Sequence, residues 1–343
     1  MKDLANTYKT AEEPIQHGGN LDVVRACFPQ ARQPWIDLST GINPIPFGYT
    51  PPLPDAWNRL PSRPDETALL EAAARRYGVT DVQTIVAAPG TQALIQLLPR
   101  LFSPARVAVL GPTYDEHEAC WRRQGHDVRI VRGLDEVADA RILIVVNPNN
   151  PTGKLLGTDE LRGVAAALAE RDGLVVVDEA FVDLHSPEAS VCSRLPPATV
   201  VLRSFGKVYG LAGLRLGFAV THPRVAQRIR AELGPWAVSG PALTIGTQAL
   251  QDDKWLETTR ARLLADGELL DALLGAAGCG ILGGTSLFRL VGHRDATYLA
   301  ERLGEHGIHV RTFTREAAWL RFGLPGSADE WSRLEHALLS ARQ

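Results

Sequence analysis

The 343-residue chain is 45% hydrophobic with a formal charge of −3, enough apolar content for two packed units and too little charge of either sign for a nucleic-acid groove or an anionic membrane surface. Its four cysteines, Cys27, Cys120, Cys192 and Cys279, stand far apart in no metal-ligand spacing and read as reduced thiols. The opening "MKDLANTYKT" is polar and no run approaches the roughly 18 apolar residues of a membrane helix, so the expectation is a cytoplasmic protein acting on a small molecule, with no metal, nucleic acid or membrane partner.

Taken in chain order, short β-branched runs dominate the middle: "TIVAAPG", "RVAVLGPTY", "DVRIVRG", "RILIVVNPNN", "LVVVDEAF", "TVVLRSFGK" and "RLGFAVTH". Segments of helical period such as "TQALIQLLPRLF" and "TDELRGVAAALAER" lie between most of them, the alternation of a mostly parallel sheet covered by helices. The last two runs are joined only by a glycine-rich stretch, so one antiparallel strand in a mixed α/β sheet is expected. Beyond it, "WLETTRARLLADGELLDALLGAAG" reads as a long amphipathic helix, followed by "SLFRLVG", the helix "DATYLAERLGEHG", "HVRTF", "WLRFGLP" and a final helix, an α+β order. These patterns divide the chain into an amino-terminal arm with part of the small domain (1–43), a large domain (44–235) and a carboxyl-terminal small domain (236–343). The proline-rich stretch from Pro44 to Pro64 is too irregular for a core element and is expected to run over the surface or across a partner.

In open α/β sheets ligands bind beyond the carboxyl ends of the strands. "APG" ends one strand, and Thr91 and Gln92 begin a helix there, offering backbone N–H groups and a hydroxyl to a phosphate. "NPNNPTG" ends another strand, "VVVDEAF" places Asp178 at the mouth of a third, and "LRSFGK" does the same for Ser204 and Lys207. Each has a plain structural reading as a cap, a turn or a solvated charge. One cofactor accounts for all of them: pyridoxal 5'-phosphate needs a lysine for its Schiff base, an acid beside its pyridine nitrogen and a cradle for a dianion. Arg215, eight residues after Lys207, is placed to return on the next strand and present a planar fork of donors to that phosphate.

With these motifs the chain resembles the fold-type I pyridoxal-phosphate enzymes, in their histidinol-phosphate aminotransferase-like branch, from His17 to the last helix. The resemblance implies that fold, with a mostly parallel seven-stranded sheet in the large domain, and a homodimer. Residue by residue it implies Lys207 as the Schiff-base lysine, Asp178 as partner of the pyridine nitrogen and Asn150 as donor to the ring hydroxyl. It also assigns Gly90, Thr91, Ser204 and Arg215 to the phosphate, Tyr114 to stacking on the ring, and Arg321 to the substrate carboxylate.

Within the branch, "HGGN" (His17 to Asn20), "DLSTGINPIP" (Asp37 to Pro46) and "DEAFVDL" (Asp178 to Leu184) are similar to stretches of the threonine-phosphate decarboxylases of cobalamin biosynthesis. His17, Gly18 and Gly19 stand just before an apolar helix, a placement suited to a substrate phosphate, with Arg311 as a further ligand and Asn43 near the carboxylate. Many aminotransferases of the branch have tyrosine where this chain has Phe181, and the Arg311 to Arg321 stretch is shorter than in the better-known form of the decarboxylase. A histidinol-phosphate aminotransferase and a non-catalytic pyridoxal-phosphate-binding protein are the alternatives.

Overall fold

A computed structural model of the chain describes residues 17–137 and 139–341. The first elements are α1 (Leu21–Cys27), the two-residue strand β1 (Ile36–Asp37), and the helices α2 (Pro54–Asn58) and α3 (Arg63–Tyr77). Strands β2 (Ile85–Ala88), β3 (Arg106–Leu110), β4 (Asp127–Val131), β5 (Ile142–Val146), β6 (Leu174–Asp178), β7 (Thr199–Ser204) and β8 (Gly217–Thr221) follow, interspersed with α4 (Thr91–Leu97), α5 (Asp115–Arg123) and α6 (Thr158–Ala169). They build one seven-stranded sheet in the order β2-β8-β7-β6-β5-β3-β4. Strands β3 to β7 are parallel, while β8 runs antiparallel to both β7 and β2, the reversed strand expected from the sequence.

The inner strands β5, β6, β7 and β8 are buried at every residue, because helices cover both faces and such a strand, mostly valine, isoleucine and leucine in β5 and β6, has no solvent side. Successive side chains alternate between two cores: Val175 and Val177 pack with Leu69, Tyr77 and Phe218, whereas Val176 packs with Leu94, Val107 and Trp121. The edge strand β4 exposes Asp127 and Arg129 and buries Val128 and Val131; charged residues on an edge discourage pairing with another chain.

After β8 come α7 (Pro223–Leu233) and α8 (Gly240–Gln251), which packs against α3. The 24-residue helix α9 (Asp253–Ala276) leads into β9 (Gly280–Thr285), β10 (Phe288–Gly292), α10 (Ala296–Glu305), β11 (Ile308–His309), β12 (Arg311–Thr312), β13 (Trp319–Gly323) and α11 (Ala328–Ser340). Strands β12, β13, β10 and β9 form an antiparallel sheet in that order, and β1 pairs in parallel with β11, drawing the amino-terminal segment onto this second unit. The Gly284 N–H donates to Thr152 O at 3.0 Å, and a Cβ on Gly153 would lie 1.8 Å from Gly284 O, so glycine permits this main-chain contact between the units.

Two expectations shift in detail. Helix α1, read as apolar, buries none of its residues in the single chain. The Pro44 to Pro64 stretch is largely exposed as expected, yet it contains the five-residue helix α2 and sinks Phe47 against the Tyr209 and Trp255 rings.

Candidate active site

A cavity of about 510 Å³ opens beyond the carboxyl ends of β2, β5, β6 and β7, where the second unit faces the large sheet. One wall is made where two glycines let neighbouring groups come close. Gly90, at φ +87°, caps α4 without a side-chain bond, and a Cβ there would sit 2.7 Å from Arg215 Nη2. A Cβ on Gly217, the first residue of β8, would sit 2.6 Å from Thr91 N. Arg215 itself has φ +56° and donates from Nη1 to Ala212 O at 3.1 Å. The start of α4, the Arg215 guanidinium and Ser204 at the end of β7 therefore line the same part of the cavity, a cluster of N–H and O–H donors suited to an anion.

The floor is built on Asp178. Burial leaves this carboxylate dependent on fixed partners: Oδ2 lies 2.9 Å from His117 Nε2 and Oδ1 accepts from Ala180 N at 3.1 Å. Behind it a buried ion pair braces the loop after β6. Arg203 Nη1 donates to Glu179 Oε2 and Ser190 Oγ, each at 2.9 Å, Nη2 donates to Asp183, and the guanidinium stacks 4.3 Å from the Tyr77 ring centre.

Tyr114 forms a side wall. Its hydroxyl donates to Gln92 Oε1 at 3.1 Å, and burial together with the nearby Glu116 carboxylate pushes its pKa well up, so it stays a neutral phenol. Gln92 Nε2 donates to Glu116 Oε2 at 3.0 Å, and Glu116 Oε1 stands 2.8 Å from His17 Nε2. Glu116 thus ties the Tyr114 wall to the His17 mouth.

Lys207 projects into the centre, its Nζ 5.7 Å from the Phe181 ring centre. Burial, reinforced by the positive field of Arg321 and opposed by Asp178, draws its pKa down to about 8. Opposite stand two arginines of the second unit. Arg321 donates to Asn150 Oδ1 and to Ser39 O, lies 5.1 Å from the Phe288 ring centre, and keeps a buried Nε–H that has no partner among the described residues. Burial and the proximity of Arg311 lower its pKa to about 10. Because Asn150 Oδ1 accepts from Arg321, the asparagine's amide nitrogen is left to donate into the cavity.

The structure gathers Gly18, Gly90, Thr91, Gln92, Tyr114, Asn150, Asp178, Ser204, Lys207, Arg215, Arg311, Arg321 and His17 around this one cavity. Asn43, expected to touch substrate, does not line it: its side chain is consumed by Val208 O, Ile45 N and Arg262, and Thr40 and Gly41 take its place on the wall. The Gly19 amide, expected to be open to an anion, donates to Ser39 Oγ at 2.7 Å, because the turn at His17 folds back on residue 39. His117 and Glu116 escaped the sequence reading. The only local signal was their place in the first turn of the helix that follows Tyr114.

The chain matches the aminotransferase class I and II family over residues 54–338. It is 44% identical to a threonine-phosphate decarboxylase of Sinorhizobium over 95% of this chain and 98% of that one, and 42% identical to a threonine-phosphate decarboxylase of Pseudomonas aeruginosa over 96% and 98%. The crystal structure of histidinol-phosphate aminotransferase from Sinorhizobium meliloti in complex with pyridoxal-5'-phosphate superposes with a TM-score of 0.81, covering 100% of this chain and 97% of that one at 21% identity, a likeness of fold.

Proposed function

We propose that this chain, which belongs to the aminotransferase class I and II family, is a pyridoxal-phosphate-dependent decarboxylase that converts L-threonine O-3-phosphate to (R)-1-aminopropan-2-ol O-phosphate and carbon dioxide, a step of cobalamin biosynthesis. The observation that carries this reading is the identity of 44% and 42% to two threonine-phosphate decarboxylases over nearly the full length of each.

The residues present fit the cofactor. The glycine-lined wall at Gly90 and Gly217 leaves room that any Cβ would fill, beside the Arg215 fork, for a phosphate. Asp178 offers a buried carboxylate for a protonated pyridine nitrogen, Asn150 a free amide donor for the ring hydroxyl, and Lys207 a desolvated amine. When bound, pyridoxal phosphate supplies an electron sink for the bond broken at the substrate α-carbon.

The protein's own groups do the rest. With a pKa drawn down to about 8, a useful share of Lys207 is neutral and nucleophilic near pH 7.5. His117 keeps the Asp178 carboxylate in one orientation, so its charge stays aimed along one line. Arg321 has its buried Nε–H, unpartnered among the described residues, and the second N–H of each terminal nitrogen left for a carboxylate, which it would hold in one orientation. Arg311 and His17 serve the substrate phosphate. Lys207 Nζ delivers the proton that replaces the departing carboxylate. Phe181 and Phe288, edge to face at 5.1 Å, keep water from that side.

The working unit is a cytoplasmic homodimer. Leu53, Trp57, Leu60 and Trp236 are more than half exposed in the single chain, and aromatic and leucine side chains left in water in such number favour a second copy as their cover. Among the described residues no helix is long and apolar enough to cross a membrane.

The test of the reaction is release of carbon dioxide from threonine phosphate with no keto acid present, and little turnover of unphosphorylated threonine. If glutamate instead converts the cofactor stoichiometrically to its pyridoxamine form and threonine phosphate yields no gas, an aminotransferase reading replaces this one.

A further inference from the structure

Asn43 is 2% exposed and spends every side-chain oxygen lone pair and one amide hydrogen inside the protein. Its Nδ2 donates to Val208 O at 2.8 Å and its backbone N–H to Lys207 O at 3.0 Å. Its Oδ1 accepts from Ile45 N at 3.1 Å and from Arg262 Nη2, which reaches in from α9, at 2.7 Å. A little further on, Phe47 N donates to Tyr209 O at 2.9 Å, and a Cβ on Gly210 would stand 2.7 Å from Asn43 O. Residues 43–47 therefore run as a splint beside residues 207–210.

That splint meets a specific need. Lys207 lies in the connection between β7 and β8, outside any strand, and its amine must reach one point of the cavity although burial drives its charged form toward water. We propose that Asn43 is a positioning residue for Lys207, fixing the carbonyls of Lys207 and Val208, and that Arg262 holds Asn43 in place from the second unit. The inference rests on Lys207 being the residue that carries the cofactor. Asparagine fits because its amide presents a donor and an acceptor together: aspartate has no donor for Val208 O, and leucine would take from Val208 O its donor and from Arg262 Nη2 its acceptor, leaving Arg262 only its Asp266 pair.

The test uses the cofactor-loaded protein with Asn43→Asp and Arg262→Met. Two readings are taken: kcat and KM on threonine phosphate, and, with no substrate present, the pH midpoint of the visible absorbance of the lysine-bound cofactor. For Asn43→Asp the expected result is a fall in kcat of about 10- to 100-fold, the scale of an ångström-sized misplacement, with KM within about threefold and the absorbance midpoint displaced by about half a pH unit or more. Arg262→Met moves both readings the same way by less. A rise in KM with kcat unchanged would return Asn43 to the substrate, and a parental kcat and midpoint in both variants would overturn the proposal. Should Asn43→Asp fail to fold, Arg262→Met decides by the same readings. The absorbance midpoint needs no turnover, so it judges this inference even if threonine phosphate proves not to be the substrate.

Discussion

His117 Nε2 and Asp178 Oδ2 meet 2.9 Å apart beneath the cavity, with both side chains almost wholly buried. A buried carboxylate with one protein donor fewer is costly, since a hydrogen bond to a charged group contributes about 1.5–3 kcal/mol. His117→Ala is expected to lower kcat by roughly 10- to 100-fold on that scale, and His117→Gln, which can still donate, by less. Steady-state kinetics of the three proteins at one pH decide it, and an alanine variant as fast as the parent removes His117 from the mechanism.

Lys207→Ala should abolish turnover and the visible absorbance of the bound cofactor, while phosphate contacts still retain some of it. The lysine also predicts a pH effect. Its pKa falls from 10.5 to about 8 on folding, so between those values the folded protein binds fewer protons than the unfolded one, and the stability of the cofactor-free protein rises with pH across the window. Denaturant titrations from pH 7.5 to 10.5 should show that rise in the parent and a flatter curve in Lys207→Met.

Arg215→Ala should weaken cofactor binding by about 1.5–3 kcal/mol, and Arg215→Lys should recover only part, because a point charge cannot reproduce a planar fork. Equilibrium dialysis of the cofactor measures both. Equal affinity in all three proteins would make Arg215 structural.

The two arginines of the second unit should separate in kinetics. Arg311 and Arg321 are register partners on β12 and β13, but Arg321 is buried and bonded to Asn150 and Ser39, whereas Arg311 is half-buried nearer Phe313. Arg321→Ala is expected to lose most carbon dioxide release, and Arg311→Ala chiefly to raise KM for threonine phosphate. The reverse pattern would exchange their roles.

Sedimentation should report about twice the 37.2 kDa chain mass. Replacing Trp57 and Trp236 with glutamine should shift the protein toward the monomer, since each is more than half exposed in the single chain. A monomeric parent at assay concentration ends the dimer reading.

The sheet was legible in the sequence because its strands are short apolar runs, nearly pure valine, isoleucine and leucine in β5 and β6, and the residues at or just after the ends of β6, β7 and β2, Asp178, Ser204 and Gly90, fall at the cavity for the same reason. Lys207 and Arg215 were legible from the glycines around them. The His117 to Asp178 contact was not, since it joins residues 61 apart, one on the helix α5 that follows β3 and the other at the end of β6, which β5 separates from β3 in the sheet, and periodicity carries no information about which helix start leans over which strand end. Asn43 misled for a related reason. Its motif placed the residue beside the site, but the direction of a short amide is settled by Arg262, more than two hundred positions away.

The single reversed strand β8 has a further effect on how the chain tolerates change. Ser204 and Gly217 are opposite one another in the ladder, so residues 205–216 must close a loop at the very end of the sheet where the cavity lies. Had β8 run parallel, its five residues at about 3.3 Å each would carry Arg215 some 16 Å to the far side, and a crossover helix would be needed to bring it back. The connection is therefore fixed in length by the two residues it delivers. Insertions should be accepted at the opposite rim, around Ala198 or after Thr221, and rejected between Phe205 and Leu216, so that one end of this sheet is free to vary in evolution while the other is held to a count of residues.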